Sequence, residues 1–181
     1  SVVMVDHDTR ILRAADILLQ RGVADIILLG DADRIGLRVR DLGLDLEKAR
    51  ILQPELSPDF EDYAVTYHEL RKHKGVSLDE ARERMTDATY FGTMMVYKGQ
   101  ADGLVSGSIN TTAHTVRPAL EFIKTKPGYS IVSSVFFMCL KDRVLTFGDC
   151  AINPDPTAAE LADIAVNSAE TSRIFGLEPR V

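Results

Sequence analysis

Apolar and polar positions along this chain fall into blocks, and the period changes from block to block. Val2-Val3-Met4-Val5 is a short unbroken apolar run, the pattern of a buried strand. The polar cluster Asp6-His7-Asp8-Thr9 then leads into a helical pattern. Ile11, Leu12, Ala15, Leu18 and Leu19 share one face of it, and Gly22 supplies the stop. Ala24 to Gly30 reads as a second strand, and Ala32 to Leu42 as a helix despite Gly36. Ala49 to Leu52 reads as a third strand, closed by Pro54 and Pro58. Strands and helices alternating through tight Gly-ended turns predict a parallel α/β sheet.

Three helical patterns follow. Phe60 to His73 places Tyr63, Tyr67 and Leu70 on one side and ends in the basic run Arg71-Lys72-His73-Lys74 before Gly75. Ser77-Leu78-Asp79-Glu80 caps the second, through Met85. Thr89 to Lys98 carries Phe91, Met94, Met95 and Val96 and is expected to be buried. Gly103-Leu104-Val105 then suits the end of a buried strand. After a run of small and hydroxylic residues, a helix is predicted to start at Val116-Arg117-Pro118-Ala119-Leu120. Pro118 would sit where a missing N–H costs little, and the helix would run to about Lys124.

From Tyr129 the pattern turns to β. Ile131 to Cys139 and Arg143 to Phe147 are two β-prone runs joined at Lys141-Asp142, which predicts an antiparallel hairpin. A loop from Gly148 to Pro156 leads to Thr157 as N-cap of a helix from Ala158 to about Phe175, ended by Gly176. Glu178 to Val181 reads as the approach to another strand. The expectation is a three-layer α-β-α fold around a mainly parallel sheet, in two domains, 1–128 and 129–181. The boundary would lie at Lys126-Pro127-Gly128, and the second domain would be incomplete. A cleft is expected at the carboxyl ends of the strands.

Composition narrows the function classes. The chain has 181 residues, enough for a sizeable core, and a net charge of −6, which argues against a reader of nucleic-acid phosphates. Its apolar runs are too short for a membrane span, and Ser1 does not open a signal peptide. Cys139 and Cys150 are too few for a disulfide framework, and neither is spaced with His as a metal site would be. No metal and a cytoplasmic setting are the expectations.

The candidate chemistry centres on Ser106, Gly107, Ser108, Asn110, Thr111 and Thr112. Hydroxyls and backbone N–H groups between a strand end and a helix start suit an anion, although small polar turns are also common there. Arg117 in the first helical turn would oppose the helix dipole, which favours an anion-binding role over a structural one. Arg71 reads on composition as part of a solvated basic helix end. Cys139 reads as a small core residue, and His7 and His114 as surface turn residues. Neither G-x-x-x-x-G-K-[ST] nor G-x-G-x-x-G is present.

Several separate blocks carry a resemblance. Glu69 to Gly75, Asp102 to Gly107 with Thr115 to Leu120, Phe147 to Thr157, and Ile164 to Thr171 together resemble the phosphate acetyltransferase (phosphate acetyl/butyryl transferase) family, in matching order along the whole chain. The resemblance implies acetyl transfer between coenzyme A, as a substrate, and inorganic phosphate, with acetyl phosphate as the other acyl carrier. It implies no metal, no covalent intermediate and a homodimer. It assigns Arg71 and Arg117 to catalysis, holding and stabilising phosphoryl oxygens, while Ser106, Gly107, Ser108, Asn110, Thr111 and Thr112 line the substrate pocket. The chain departs from the family pattern at Asn110, often His there, at His114, often Asp, and at Val5-Asp6, where Pro-Glu is usual. The family's catalytic Asp and a Ser-Arg pair lie in a C-terminal part with no counterpart before Val181. A butyryl-preferring relative and a non-catalytic ligand-binding fragment are the alternatives.

Overall fold

A computed structural model describes residues 1–5 and 7–181; Asp6, part of the polar cluster and of the Val5-Asp6 departure, lies outside the described residues. The chain divides into two compact units, Ser1–Ile123 and Lys124–Val181.

The first unit is built on four parallel strands, β1 (Val2–Met4), β2 (Ile26–Leu29), β3 (Arg50–Leu52) and β4 (Gly103–Val105), in the order β3-β2-β1-β4. Side chains alternate across a strand, so adjacent apolar residues must find two different cores. On one face Val3, Val5, Ile27 and Leu29 pack with α3 (Phe60–Arg71), α4 (Leu78–Met85) and α5 (Ala88–Tyr97). On the other, Met4, Ile26 and Leu28 pack with α1 (Thr9–Gln20) and α2 (Ala32–Leu42). This is the expected three-layer arrangement, and it accounts for the unbroken apolar runs of β1 and β2. The edge strand β4 is less enclosed than its sequence suggests, with Val105 44% exposed.

Close packing of α5 on the sheet depends on Gly92. A Cβ there would lie 2.8 Å from Leu104 Cδ1 and 3.0 Å from Val3 Cγ1. Thr89 to Met95 are all buried, as the Phe91/Met94/Met95 pattern predicted. The caps follow sequence as well. Asp8, Asp31 and Asp87 accept backbone N–H groups at the starts of α1, α2 and α5, and Ser77 with Glu80 forms a capping box at α4.

In the second unit, β5 (Val135–Cys139) and β6 (Val144–Gly148) form the expected antiparallel hairpin, with Leu140 N–H donating to the Arg143 carbonyl across the turn. α7 (Ala158–Ile174) follows, with a Thr157/Glu160 capping box. The structure differs from expectation, or falls short of it, at three places. Ile131 to Ser134 are not strand, since they run beside the Asp149 loop and Val132 gives its carbonyl to Asn153 (2.8 Å) rather than to a ladder. Residues 178–181 carry no regular structure. Cys139, expected in a core, is exposed at the end of the hairpin.

Candidate functional site

In the order β3-β2-β1-β4 the connections run one way from β1 to β3 and the other way to β4. The carboxyl ends of β1 and β4 therefore flank the point where the winding reverses, where open α/β sheets leave a crevice. The loops leaving these two strands are joined there. Val5 N–H donates to the Val105 carbonyl (3.1 Å), and Arg10 Nη2 donates to the Ser108 carbonyl (2.8 Å). The same guanidinium binds Asp8, the cap of α1. Arg10 first, then the Ile11 N–H, hold the Asp8 carboxyl down at about 2.

The turn after β4 is organised by its own hydroxyls. Ser106 Oγ accepts from Asn110 Nδ2 (3.4 Å) and from Thr115 Oγ1 (3.3 Å), which joins the strand end to the next helix. Gly107 has φ +114°, a conformation that side chains disfavour. Thr111 caps the helix, its Oγ1 accepting from the His114 N–H (3.2 Å).

That cap corrects the predicted helix start. The helix, α6, runs Thr112–Pro118 rather than from Val116, and Ala119–Ile123 continue it as a π turn. Pro118 is buried inside it, where it removes a hydrogen bond, and the widened turn follows directly. Arg117 thus lies in the last turn of α6, not the first. A cation there is favoured by the dipole, so the dipole argument for anion binding does not hold. What surrounds the guanidinium must carry the argument instead.

Arg117 and Arg71 both act on one buried tyrosine pair. Tyr67 precedes Arg71 by one turn of α3, and its ring meets that of Tyr90 edge-on with centroids 5.8 Å apart. Tyr67 donates its hydroxyl to Glu121 Oε2 (2.7 Å). Burial pushes the Tyr67 phenol up and Glu121 adds to it, while Arg71 pulls the other way. Burial likewise raises Tyr90, reinforced by Glu121 and opposed by Arg84 and Arg117. The Arg84 guanidinium also lies over the Tyr90 ring, 5.5 Å from its centroid. Among the described residues, neither Arg71 nor Arg117 has a carboxylate within ion-pair distance. Arg71 Nε is buried with no hydrogen-bond partner among the described residues. Arg71 also differs from its neighbours, for Lys72, His73 and Lys74 are exposed as a solvated helix end should be.

The structure thus ties Ser106, Asn110 and Thr111 to α6, joins Ser108 to α1, and leaves Thr112 exposed at the helix start. Arg84, Tyr90 and Glu121 escaped the sequence reading. The available signal was the four-residue spacing of Tyr67 to Arg71 and of Arg117 to Glu121. His114 is helical rather than a turn residue, and its Nε2 lies 3.0 Å from Asp87 Oδ2. His7 is partly buried, with its ring against Gly30.

In the second unit the Asp149 carboxylate gathers several donors. Burial alone would raise Asp149, but hydrogen bonds from Ser134 Oγ (2.7 Å), the Ala151 N–H (2.8 Å), the Ile152 N–H (3.1 Å) and Asn153 hold it well below the carboxylate range. Cys150 Sγ donates to the same Ser134 Oγ (3.1 Å). Among the described residues no cluster of three or more His, Cys, Asp or Glu side chains could hold a metal, and no helix is long and apolar enough to cross a membrane.

A parallel sheet with its switch point at a hydroxyl-lined turn defines an open, doubly wound α/β protein. Comparison with known proteins is more specific. The family model described as phosphate acetyl/butaryl transferase matches residues 2–181. A phosphate acetyltransferase of Nitratidesulfovibrio vulgaris is 68% identical over 174 residues, which cover 96% of this chain and 25% of that protein. One from Corynebacterium glutamicum is 53% identical over 174 residues, covering 96% and 53%. The EutD phosphotransacetylase from Staphylococcus aureus superposes with a TM-score of 0.90 at 40% identity, over 98% of this chain and 54% of its own. The chain belongs to the phosphate acetyl/butaryl transferase family. It spans between a quarter and about half the length of these relatives.

Proposed function

We propose that this chain contributes the phosphate-handling part of a phosphate acetyltransferase, which moves an acetyl group between coenzyme A and inorganic phosphate. The observation that carries the proposal is the pair Arg71 and Arg117, neither of which has a carboxylate in ion-pair range among the described residues, with the Arg71 Nε buried and unpartnered there. Acetyl phosphate is a small dianion. Two guanidinium groups can hold its phosphoryl oxygens and stabilise the charge that grows on phosphate as the thiolate of coenzyme A attacks the carbonyl. Ser106, Gly107, Ser108, Asn110, Thr111 and Thr112 supply hydroxyl, amide and N–H donors to the same anion. Tyr67 and Glu121 assist indirectly, because the carboxylate bonded to the phenol is engaged there and leaves both guanidinium groups to substrate. Residues 1–128 carry this site in the proposal.

The reaction as proposed uses coenzyme A as a substrate and no metal, with small-molecule substrates rather than nucleic acid or membrane as partners. The intact protein is proposed to be a cytoplasmic homodimer. Acetyl phosphate formation from acetyl-CoA and phosphate tests the reading. In the intact protein, Arg71→Ala and Arg117→Ala should each lower kcat by about 10²–10³-fold, the scale for losing a charge-stabilising donor, and raise KM for phosphate. Wild-type kinetics in both variants would remove the assignment. Comparing kcat/KM for acetyl-CoA and butyryl-CoA decides between the two acyl groups of the family's description.

A further inference from the structure

Arg117 sits on a poor support. α6 has seven residues, contains Pro118 and gives way to a π turn, so local hydrogen bonding alone holds it weakly. Something outside the helix has to set its position. His114 precedes Arg117 by three residues and therefore lies on the same side of the helix. Its Nε2 is 3.0 Å from Asp87 Oδ2, on a different element. Asp87 is itself immobilised. Its other oxygen, Oδ1, accepts the N–H groups of Thr89 (2.8 Å) and Tyr90 (3.3 Å) and so forms the N-cap of α5. That helix is the most enclosed in the molecule, pressed on the sheet through Gly92. Tyr90, two residues into α5, is also the phenol on which the Arg117 charge acts.

We infer that Asp87 and His114 are positioning residues that clamp the Arg117-bearing helix to the capped end of α5 and so set the register of the guanidinium against the phosphate site. One carboxylate does both jobs, with one oxygen committed to the α5 backbone and the other to the α6 imidazole. This rests on the reading that Arg117 binds phosphate. The geometry makes the two jobs separable. Asp87→Ser preserves an N-cap, because serine caps about as well as aspartate, yet its side chain is too short to keep His114. His114→Leu keeps the apolar contact and removes the donor, whereas His114→Gln restores an N–H that can reach the carboxylate.

The experiment is steady-state kinetics of the intact protein, with phosphate and acetyl-CoA varied separately and Arg117→Ala run in parallel. Asp87→Ser and His114→Leu should each raise KM for phosphate about tenfold and leave KM for acetyl-CoA unchanged. The double variant should be no worse than either single one, and His114→Gln should stay within about twofold of wild type. A proportional change in both KM values, or additive effects, would mean a general structural contact and would overturn the inference. Unaltered phosphate KM in both variants, with a raised value in Arg117→Ala, would defeat the clamp and leave the phosphate site standing. No effect in Arg117→Ala would defeat the site, and the clamp with it.

Discussion

The two units of this chain use the same kinds of residue to different ends. In the first, the apolar runs of β1 and β2 are closed on both faces by helices, and Val3, Ile27, Leu28 and Leu29 are buried. In the second, an apolar run just as long forms a two-stranded hairpin in which Phe136 is 57% exposed and Phe147 53%. Only Ile164 and Ser172 are buried between Lys124 and Val181. An apolar β-run states that a residue can be buried, and the number of layers brought against it states whether it is. A hairpin with one helix supplies a single layer. The second unit also carries a dense polar knot, in which the Asp149 carboxylate accepts from Ser134, Ala151, Ile152 and Asn153.

Substitutions can break or sharpen that contrast. The largest effect should come from Phe91→Ala, which empties a fully buried site of the first core and should cost about 3–5 kcal/mol in denaturant unfolding. Phe147→Ala, chemically the same change at an exposed position, should stay within about 0.5 kcal/mol. Equal costs would show that the two units do not differ in this way. Next, Asp149→Ala should cost about 1–3 kcal/mol, because it strands the Ser134 hydroxyl and the backbone N–H groups of Ala151, Ile152 and Asn153. Hydrogen exchange should show the loss confined to residues around the 149–153 loop.

A smaller, matched test uses the capping boxes, one in each unit. Ser77→Ala and Thr157→Ala should each destabilise their helix by about 1 kcal/mol, read from exchange in α4 and α7. Similar values would mean that local helix chemistry is indifferent to the depth of the core behind it. The smallest effect concerns acid. The folded Asp8 carboxyl is held at about 2, below its ordinary 3.8, so its contribution is present above the ordinary value and is lost as pH falls through about 2. Carboxyl titration by NMR should show that midpoint, and exchange at the Arg10 and Ile11 amides, which it binds, should rise over the same range. A midpoint near 3.8 would show that the Arg10 contact does not persist in solution.

The strands and most helices were legible because their signals are local. The Ile11/Leu12/Ala15 spacing, the Gly30 and Gly75 stops, and the Ser77 and Thr157 caps act within a few residues of chain. The start of α6 was not legible in the same way. Pro118 looks like a first-turn residue, yet it is tolerated in the interior because a π turn absorbs the missing bond. The same displacement moved Arg117 from one end of the helix to the other and removed one argument for its role. Arg71 was hidden too, since nothing in the run Arg71-Lys72-His73-Lys74 says that only the first packs inward.

The order and type of the elements, the two-faced sheet core and the hydroxylic turn after β4 all follow from residue pattern, because period, caps and glycine stops are properties of neighbours along the chain. The meeting of α3 and the α6 segment at Tyr67 and Glu121, and the junction of Asp87 with His114 between α5 and α6, do not. Those pairs are 54 and 27 residues apart, and their contact energies exist only once the sheet and its helices have packed. The placement of the two arginines is therefore a property of packing, and their chemical suitability for an anion a property of sequence.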